Sequence, residues 1–158
     1  MTLLIENMSR YMAKDILNWK YDEPYDFYNN ELTDEALNEL LDGSYYAVVN
    51  ENKDLIGFFC IGENARVPIG NLFGVYKANL VDMGIGMNPE LVGNGYGFDF
   101  CTYIVKFIEE KYNSTSIRLT VAKFNRRAIH LYEKLGFVFE NEFSTDTTEF
   151  MTMVKKDV

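Results

Sequence analysis

The residues of this chain best suited to chemistry begin at a glycine-rich turn. The stretch VDMGIGMNPELVGNGYGFDFCTYIVKFI runs from Val81 to Ile108. Val81 to Met87 is an apolar-rich run that suits a buried strand. Asn88 to Asn94 reads as a turn, with Pro89 and Gly93 as punctuation. From Gly95 the period changes: Phe98, Cys101, Ile104, Val105 and Ile108 recur at spacings of three and four and make one apolar helical face. A strand therefore feeds a glycine turn, and the turn opens a helix. Backbone amides at a helix start have no intrahelical partner and sit at the positive end of the helix dipole. Such a turn can hold a phosphate or pyrophosphate, and Gly93, Gly95 and Gly97 remove side chains where its oxygens would approach. A P-loop is excluded because no Lys follows Gly97. The dinucleotide fingerprint is excluded because Phe98 stands where its third glycine belongs. The plainer alternative is a strand-to-helix connection that merely needs glycines.

Other reactive side chains are few. Cys60 lies in an apolar strand-like run and Cys101 on the apolar helical face, so both read as free core thiols. His130 is the only histidine, and no Cys/His cluster has metal-ligand spacing, so no metal is expected. His130 shares a face with Arg126, Arg127 and Lys134 and reads as solvated. The formal net charge is −9 and the pI about 4.6. That balance argues against a nucleic-acid groove and would steer cationic ligands to the surface. No run of 18 apolar residues suggests a membrane span, and no signal peptide is seen. The expected compartment is the cytoplasm.

The elements that must position these residues follow in order. The chain has 158 residues, which fits one domain over residues 1–158. Leu3 to Glu6 reads as a strand. Ser9 caps a helix to about Trp19, with Tyr11, Ile16 and Leu17 apolar. An aromatic, acidic loop follows from Trp19 to Tyr28, with Pro24 keeping it from helix. Thr33 caps a second helix bearing Leu37, Leu40 and Leu41, and Gly43 ends it. Tyr45 to Val49 and Leu55 to Ile61 form a hairpin, and Glu63 to Lys77 is irregular. After the central strand, turn and helix come a β run at Ile117 to Ala122 and a helix at Asn125 to Leu135, which Gly136 breaks. Val138 to Phe143 and Phe150 to Val154 close as an antiparallel pair.

The most specific stretch is Asn125 to Phe137, of the form N-x-x-A-x-x-L-Y-x-x-x-G-F. Together with Pro89 and the glycine turn, it closely resembles the GNAT superfamily of N-acetyltransferases, and the element order agrees over the whole chain. The resemblance implies an α/β (α+β) acyl-CoA N-acyltransferase fold, a mixed, mostly antiparallel central sheet flanked by helices. It implies acetyl-CoA as cosubstrate, with its pyrophosphate on the turn formed by Val92, Gly93, Asn94, Gly95, Tyr96 and Gly97. The strand end near Met87 would splay from its neighbour and pair with the pantetheine arm. Asn125 would contact the same molecule, and Tyr132 would serve as general acid to the thioester sulfur. A phenol supplies a proton without placing a charge in the site. Core packing of Tyr132 is the plainer alternative.

Two departures stand out. The family usually has Arg or Gln where Val92 stands. Several relatives carry a catalytic Glu at the position of Thr120, and another subgroup carries one at Asp82. Asp82 is thus the candidate base, against a purely structural carboxylate. The implied function is an acetyl-CoA-dependent N-acetyltransferase in which a small-molecule or peptide amine attacks the thioester directly. The acidic loop at Trp19 to Tyr28 suits a cationic amine by charge and cation–π contact, with ordinary packing as its alternative. A non-catalytic acyl-CoA-binding module and a transferase of another acyl group stay open, as does a homodimer.

Overall fold

Helices begin where side chains cap them. Ser9 Oγ accepts from the Met12 amide at 3.1 Å and starts α1 (Arg10–Leu17). Thr33 Oγ1 accepts from the Ala36 amide at 3.1 Å and starts α2 (Asp34–Leu40). Asn125 Oδ1 accepts from the Ala128 amide at 3.1 Å and starts α4 (Arg126–Lys134). Each cap satisfies an amide the helix itself leaves unpaired. The remaining helix is α3 (Gly97–Lys111), and the strands are β1 (Leu3–Asn7), β2 (Tyr45–Asn50), β3 (Leu55–Ile61), β4 (Val81–Met87), β5 (Ile117–Ala122), β6 (Val138–Ser144) and β7 (Glu149–Lys155). The computed structural model describes residues 2–113 and 115–156. Its sheet has seven strands in the order β1-β2-β3-β4-β5-β7-β6. β4 and β5 pair in parallel, whereas β1–β2, β2–β3, β5–β7 and β6–β7 pair antiparallel. The mixed, mostly antiparallel sheet with helices is the architecture expected from the sequence.

The chain divides into two compact units, Met1–Cys60 with Ile85–Gly97, and Ile61–Gly84 with Phe98–Val158. In the first unit, α1 buries Ala13, Ile16 and Leu17, and α2 buries Leu37 and Leu40. Tyr11, expected inside, is 77% exposed. The stripe through Ala13, Ile16 and Leu17 lies on the opposite side of α1 from it. The ring of Phe58 lies over Gly86: a Cβ added there would come within 2.2 Å of the ring. Gly86→Ala is therefore expected to cost about 1–3 kcal/mol by overpacking. The cost would be read as a lower denaturant midpoint at constant m-value.

In the second unit, α3 buries Phe100, Cys101, Ile104, Val105 and Ile108. Phe98, expected on this face, is 45% exposed, and Phe100 takes its place at 2%. The stripe centres between Cys101 and Ile108, which leaves Phe98 at its margin in the first turn. The helix also starts at Gly97 instead of Gly95, because Gly95 has φ +85°, outside the right-handed helical region. Cys60 and Cys101 are both buried thiols outside any disulfide. Burial pushes the Cys101 thiol up to about 12, so it stays protonated and unreactive.

Candidate functional site

In the first unit, the site residues lie at the end of β4 and in the turn beyond it. Asn88 ties this end to the hairpin, donating from its amide to Ile56 O at 2.8 Å and from Nδ2 to Leu55 O at 3.1 Å. Its Oδ1 accepts from the Glu90 amide at 3.0 Å, and its carbonyl accepts from the Leu91 amide at 2.9 Å. Asn94 closes the turn from its own amide to Leu91 O at 3.4 Å and from Nδ2 to Glu90 O at 3.1 Å. Gly93 and Gly95 then take φ of +84° and +85°, a conformation that favours glycine. Gly93, Asn94, Gly95 and Tyr96 are exposed, and a Cβ added at Gly95 would meet nothing within 4 Å. The backbone here is open to a ligand and leads directly into α3, whose first amides have no intrahelical acceptor. Open backbone of this kind at a helix start is where an anion can be held.

Met87, just before the turn, has its carbonyl engaged by the Tyr21 hydroxyl at 2.6 Å. Burial pushes that phenol up to about 12, so it remains a donor at neutral pH. Tyr21 belongs to the aromatic, acidic loop, and its amide donates to Asn29 Oδ1 at 2.7 Å. An open groove of about 610 Å³ in this unit is lined by Asp15, Trp19, Asp54, Glu90 and Tyr96, among others.

The second unit holds Asp82, Asn125 and Tyr132. Asp82 is 2% exposed and does not stand alone. Arg118 Nε donates to Oδ1 at 2.7 Å, Arg118 Nη2 to Oδ2 at 2.9 Å, and Arg66 Nε to Oδ2 at 2.7 Å. These bonds occupy three of the carboxylate's roughly four lone-pair sites. Arg118 itself is fully buried. Its hydrogen bond to Asp82 raises its pKa against the opposing effect of burial, so it stays charged. The two guanidiniums also lie over the Tyr76 ring, with Arg66 Cζ 5.4 Å and Arg118 Cζ 5.1 Å from its centroid. The Tyr76 hydroxyl accepts from the Val67 amide at 2.9 Å and lies 2.7 Å from Thr120 Oγ1.

Sequence reasoning missed Arg66, Tyr76 and Arg118. A signal existed for the last: Arg118 is a charge inside the apolar run Ile117 to Ala122. In the parallel register it stands opposite Asp82. Parallel rungs run from Val81↔Ile117 to Met83↔Leu119, four residues short of Met87.

The motif on α4 also has a local explanation. Phe137 N donates to Tyr132 O at 3.0 Å and Gly136 N to Glu133 O at 3.1 Å, with Gly136 at φ +99°. This is a Schellman helix stop, and its customary apolar contact is the Tyr132–Phe137 ring pair, 6.0 Å between centroids. The spacing Y-x-x-x-G-F thus fixes the tyrosine ring against a core residue that is 1% exposed. Asn125 caps the same helix, and His130 is exposed as expected. Among the described residues, no group of three or more His, Cys, Asp or Glu side chains is placed to hold a metal ion. No helix among them is long and apolar enough to cross a membrane.

Comparisons with known proteins bear on this arrangement. A sequence model described as the acetyltransferase (GNAT) family matches residues 11–137. A search of curated proteins finds no match. Among solved structures, the fold is similar to an acetyltransferase (GNAT family) from Bacillus anthracis. That protein is 15% identical with a TM-score of 0.74, over 99% of this chain and 96% of the other. The fold is also similar to the spermidine/spermine N-acetyltransferase SpeG from Vibrio cholerae in complex with manganese ions. There the identity is 22% and the TM-score 0.68, over 97% of this chain and 91% of the other.

Proposed function

Because the chain belongs to the acetyltransferase (GNAT) family, we propose that this N-acetyltransferase moves an acetyl group from acetyl-CoA to a cationic, polyamine-like amine by direct attack. The turn at Val92 to Gly97 carries the reading. It combines two left-handed glycines, open backbone and a following helix, which suits a pyrophosphate. Val92, Gly93, Asn94, Gly95, Tyr96 and Gly97 would hold the phosphates, Met87 the pantetheine arm through its backbone, and Asn125 another part of the same molecule. Acetyl-CoA supplies an activated thioester.

The chain's own residues do the rest. They orient the two substrates, which converts a bimolecular step into an intramolecular one. The acceptor must arrive uncharged, having lost one proton. Its nitrogen bonds to the acyl carbon, the carbon–sulfur bond breaks, Tyr132 gives its proton to the departing sulfur, and the second proton shed by the acylated nitrogen restores the Tyr132 phenol. Asp82 we assign to positioning instead of proton abstraction, because guanidinium N–H groups occupy both its oxygens. The first proton lost by the nitrogen leaves through water.

Three observations support a cationic acceptor. The chain carries a net charge of −9. The groove of the first unit combines Asp15, Asp54 and Glu90 with Trp19 and Tyr96, which suits an ammonium by charge and cation–π contact. SpeG, similar in fold, is a spermidine/spermine N-acetyltransferase by name.

Calorimetry with acetyl-CoA tests the carrying observation. Asn and Asp both tolerate the left-handed region better than most residues. Gly95→Asn should therefore retain binding, while Gly95→Asp should lose it by repelling the phosphates. Unchanged affinity in a folded Gly95→Asp protein would remove the turn from the site. A panel of amines, read by release of free CoA, should give the highest kcat/KM with polyamines.

A further inference from the structure

We propose that Asn94 is a site of spontaneous covalent modification. Its side-chain amide converts to a carboxylate through a cyclic imide with Gly95, and the change disables the anion-holding turn. The effect on ligand binding rests on the acetyl-CoA reading above, while the modification stands on local chemistry. Asn94 is the only asparagine in the chain followed by glycine. Glycine carries no Cβ, so nothing shields its backbone nitrogen from the preceding side chain.

The reaction needs an unengaged nucleophile, room and water, and the turn supplies all three. Among the described residues the Gly95 amide donates to no acceptor. Asn94 and Gly95 are both exposed, and a Cβ added at Gly95 would meet nothing within 4 Å. No helix or strand holds the pair, since β4 ends at Met87 and α3 starts at Gly97. In the first step the Gly95 nitrogen bonds to Asn94 Cγ and gives up its proton. The Cγ–Nδ2 bond breaks, and the nitrogen leaves with that proton as ammonia. Water then opens one of the imide carbon–nitrogen bonds, which leaves aspartate or isoaspartate at position 94. Neither oxidant nor reductant takes part. Asp42 and Gly43 can close the same ring more slowly, because a charged carboxylate resists attack. The Asp42 Oδ1 also accepts from the Ser44 amide at 2.8 Å and the Ser44 hydroxyl at 2.7 Å.

The product is badly suited to the turn. Asn94 Nδ2 donates to Glu90 O at 3.1 Å and braces it. A carboxylate has no proton to donate there, so two acceptors would face one another. The new charge would stand between Gly93 and Gly95, on the backbone assigned to the pyrophosphate. Isoaspartate also lengthens the main chain by a methylene. Conversely, a bound phosphate would accept from the Gly95 amide and so engage the nucleophile. The turn is therefore protected while loaded and ages while empty.

The test ages the full protein in mildly alkaline buffer, with and without acetyl-CoA, and maps its digest by mass spectrometry. Position 94 should gain the mass of an amide-to-acid conversion before any other asparagine, and an isoaspartyl methyltransferase should label the isoaspartate. Acetyl-CoA at about 100 times its Kd leaves roughly 1% of the turns empty, so conversion should slow by about tenfold or more. Calorimetry of the aged protein should show acetyl-CoA affinity lower by roughly 10- to 100-fold, as expected for one exposed charge set near a pyrophosphate. Asn94→Asp should move affinity the same way. Asn94→Gln keeps an amide but must close a larger ring, so its mass should hold while the wild type converts. An Asn94 that outlasts the chain's other asparagines overturns the proposal, and so does an aged protein that binds acetyl-CoA as tightly as a fresh one. If the fresh wild-type protein binds no acetyl-CoA, the reading of the turn fails, and the mass map alone decides the modification.

Discussion

Replacing Tyr132 with Phe is expected to lower kcat by about 10²–10⁴-fold, the usual worth of a general acid. The fold should survive, because the contact that holds the residue is its ring against Phe137, and Phe keeps that ring. The helix stop at Gly136 depends on backbone bonds that the substitution leaves in place. Calorimetry should therefore show acetyl-CoA binding unchanged while turnover collapses. A thioester with a better leaving thiol should recover part of the loss, since its sulfur needs the proton less. Normal turnover of the variant with acetyl-CoA and its best amine would make Tyr132 a packing residue and send the search for the acid elsewhere.

Asp82→Asn should instead act on stability. Arg118 is fully buried and donates two of its hydrogen bonds to the Asp82 carboxylate. Removing the negative charge leaves a buried cation uncompensated, which typically costs about 3–5 kcal/mol. For a chain of this size that corresponds to a Tm lower by roughly 10 °C. Replacing both partners, as Asp82→Leu with Arg118→Met, should recover much of the loss, because a well-packed apolar pair needs no compensation. The folded Asp82→Asn fraction should keep the wild-type shape of its kcat/KM pH profile. A normal Tm together with a lost acidic limb would return the role of base to Asp82.

Asp82 and Arg118 mark where sequence reading reaches its limit. Asp82 was legible as a lone carboxylate in an apolar strand, and such a group can equally be a base or half of an ion pair. The difference lies in Arg118, 36 residues away, and in the parallel register that sets the two opposite one another. Nothing local encodes that pairing. Arg66 reaches the same carboxylate from a segment that offers no clear period, only short 3-10 turns at Glu63–Ala65 and Pro68–Phe73. The expected inward turns of Tyr11 and Phe98 failed for a related reason. Both are apolar, but the buried stripe of a helix is set by what packs on it.

The sequence by itself determined whatever depends on near neighbours along the chain. The caps at Ser9, Thr33 and Asn125 are local bonds to amides three residues on. The glycine turn follows from left-handed φ values that favour glycine. The stop at Gly136 and the seat of Tyr132 follow from one six-residue backbone pattern. Only the tertiary structure decided which side chains meet. It ended the β4–β5 ladder at Met83 and bound Asp82 between two arginines. It placed the Tyr21 hydroxyl on the Met87 carbonyl, and the Tyr76 hydroxyl on Thr120. Those pairs are separated by 66 and 44 residues. Their partners are chosen by sheet register and burial, which the whole core sets at once and no short stretch of sequence can specify.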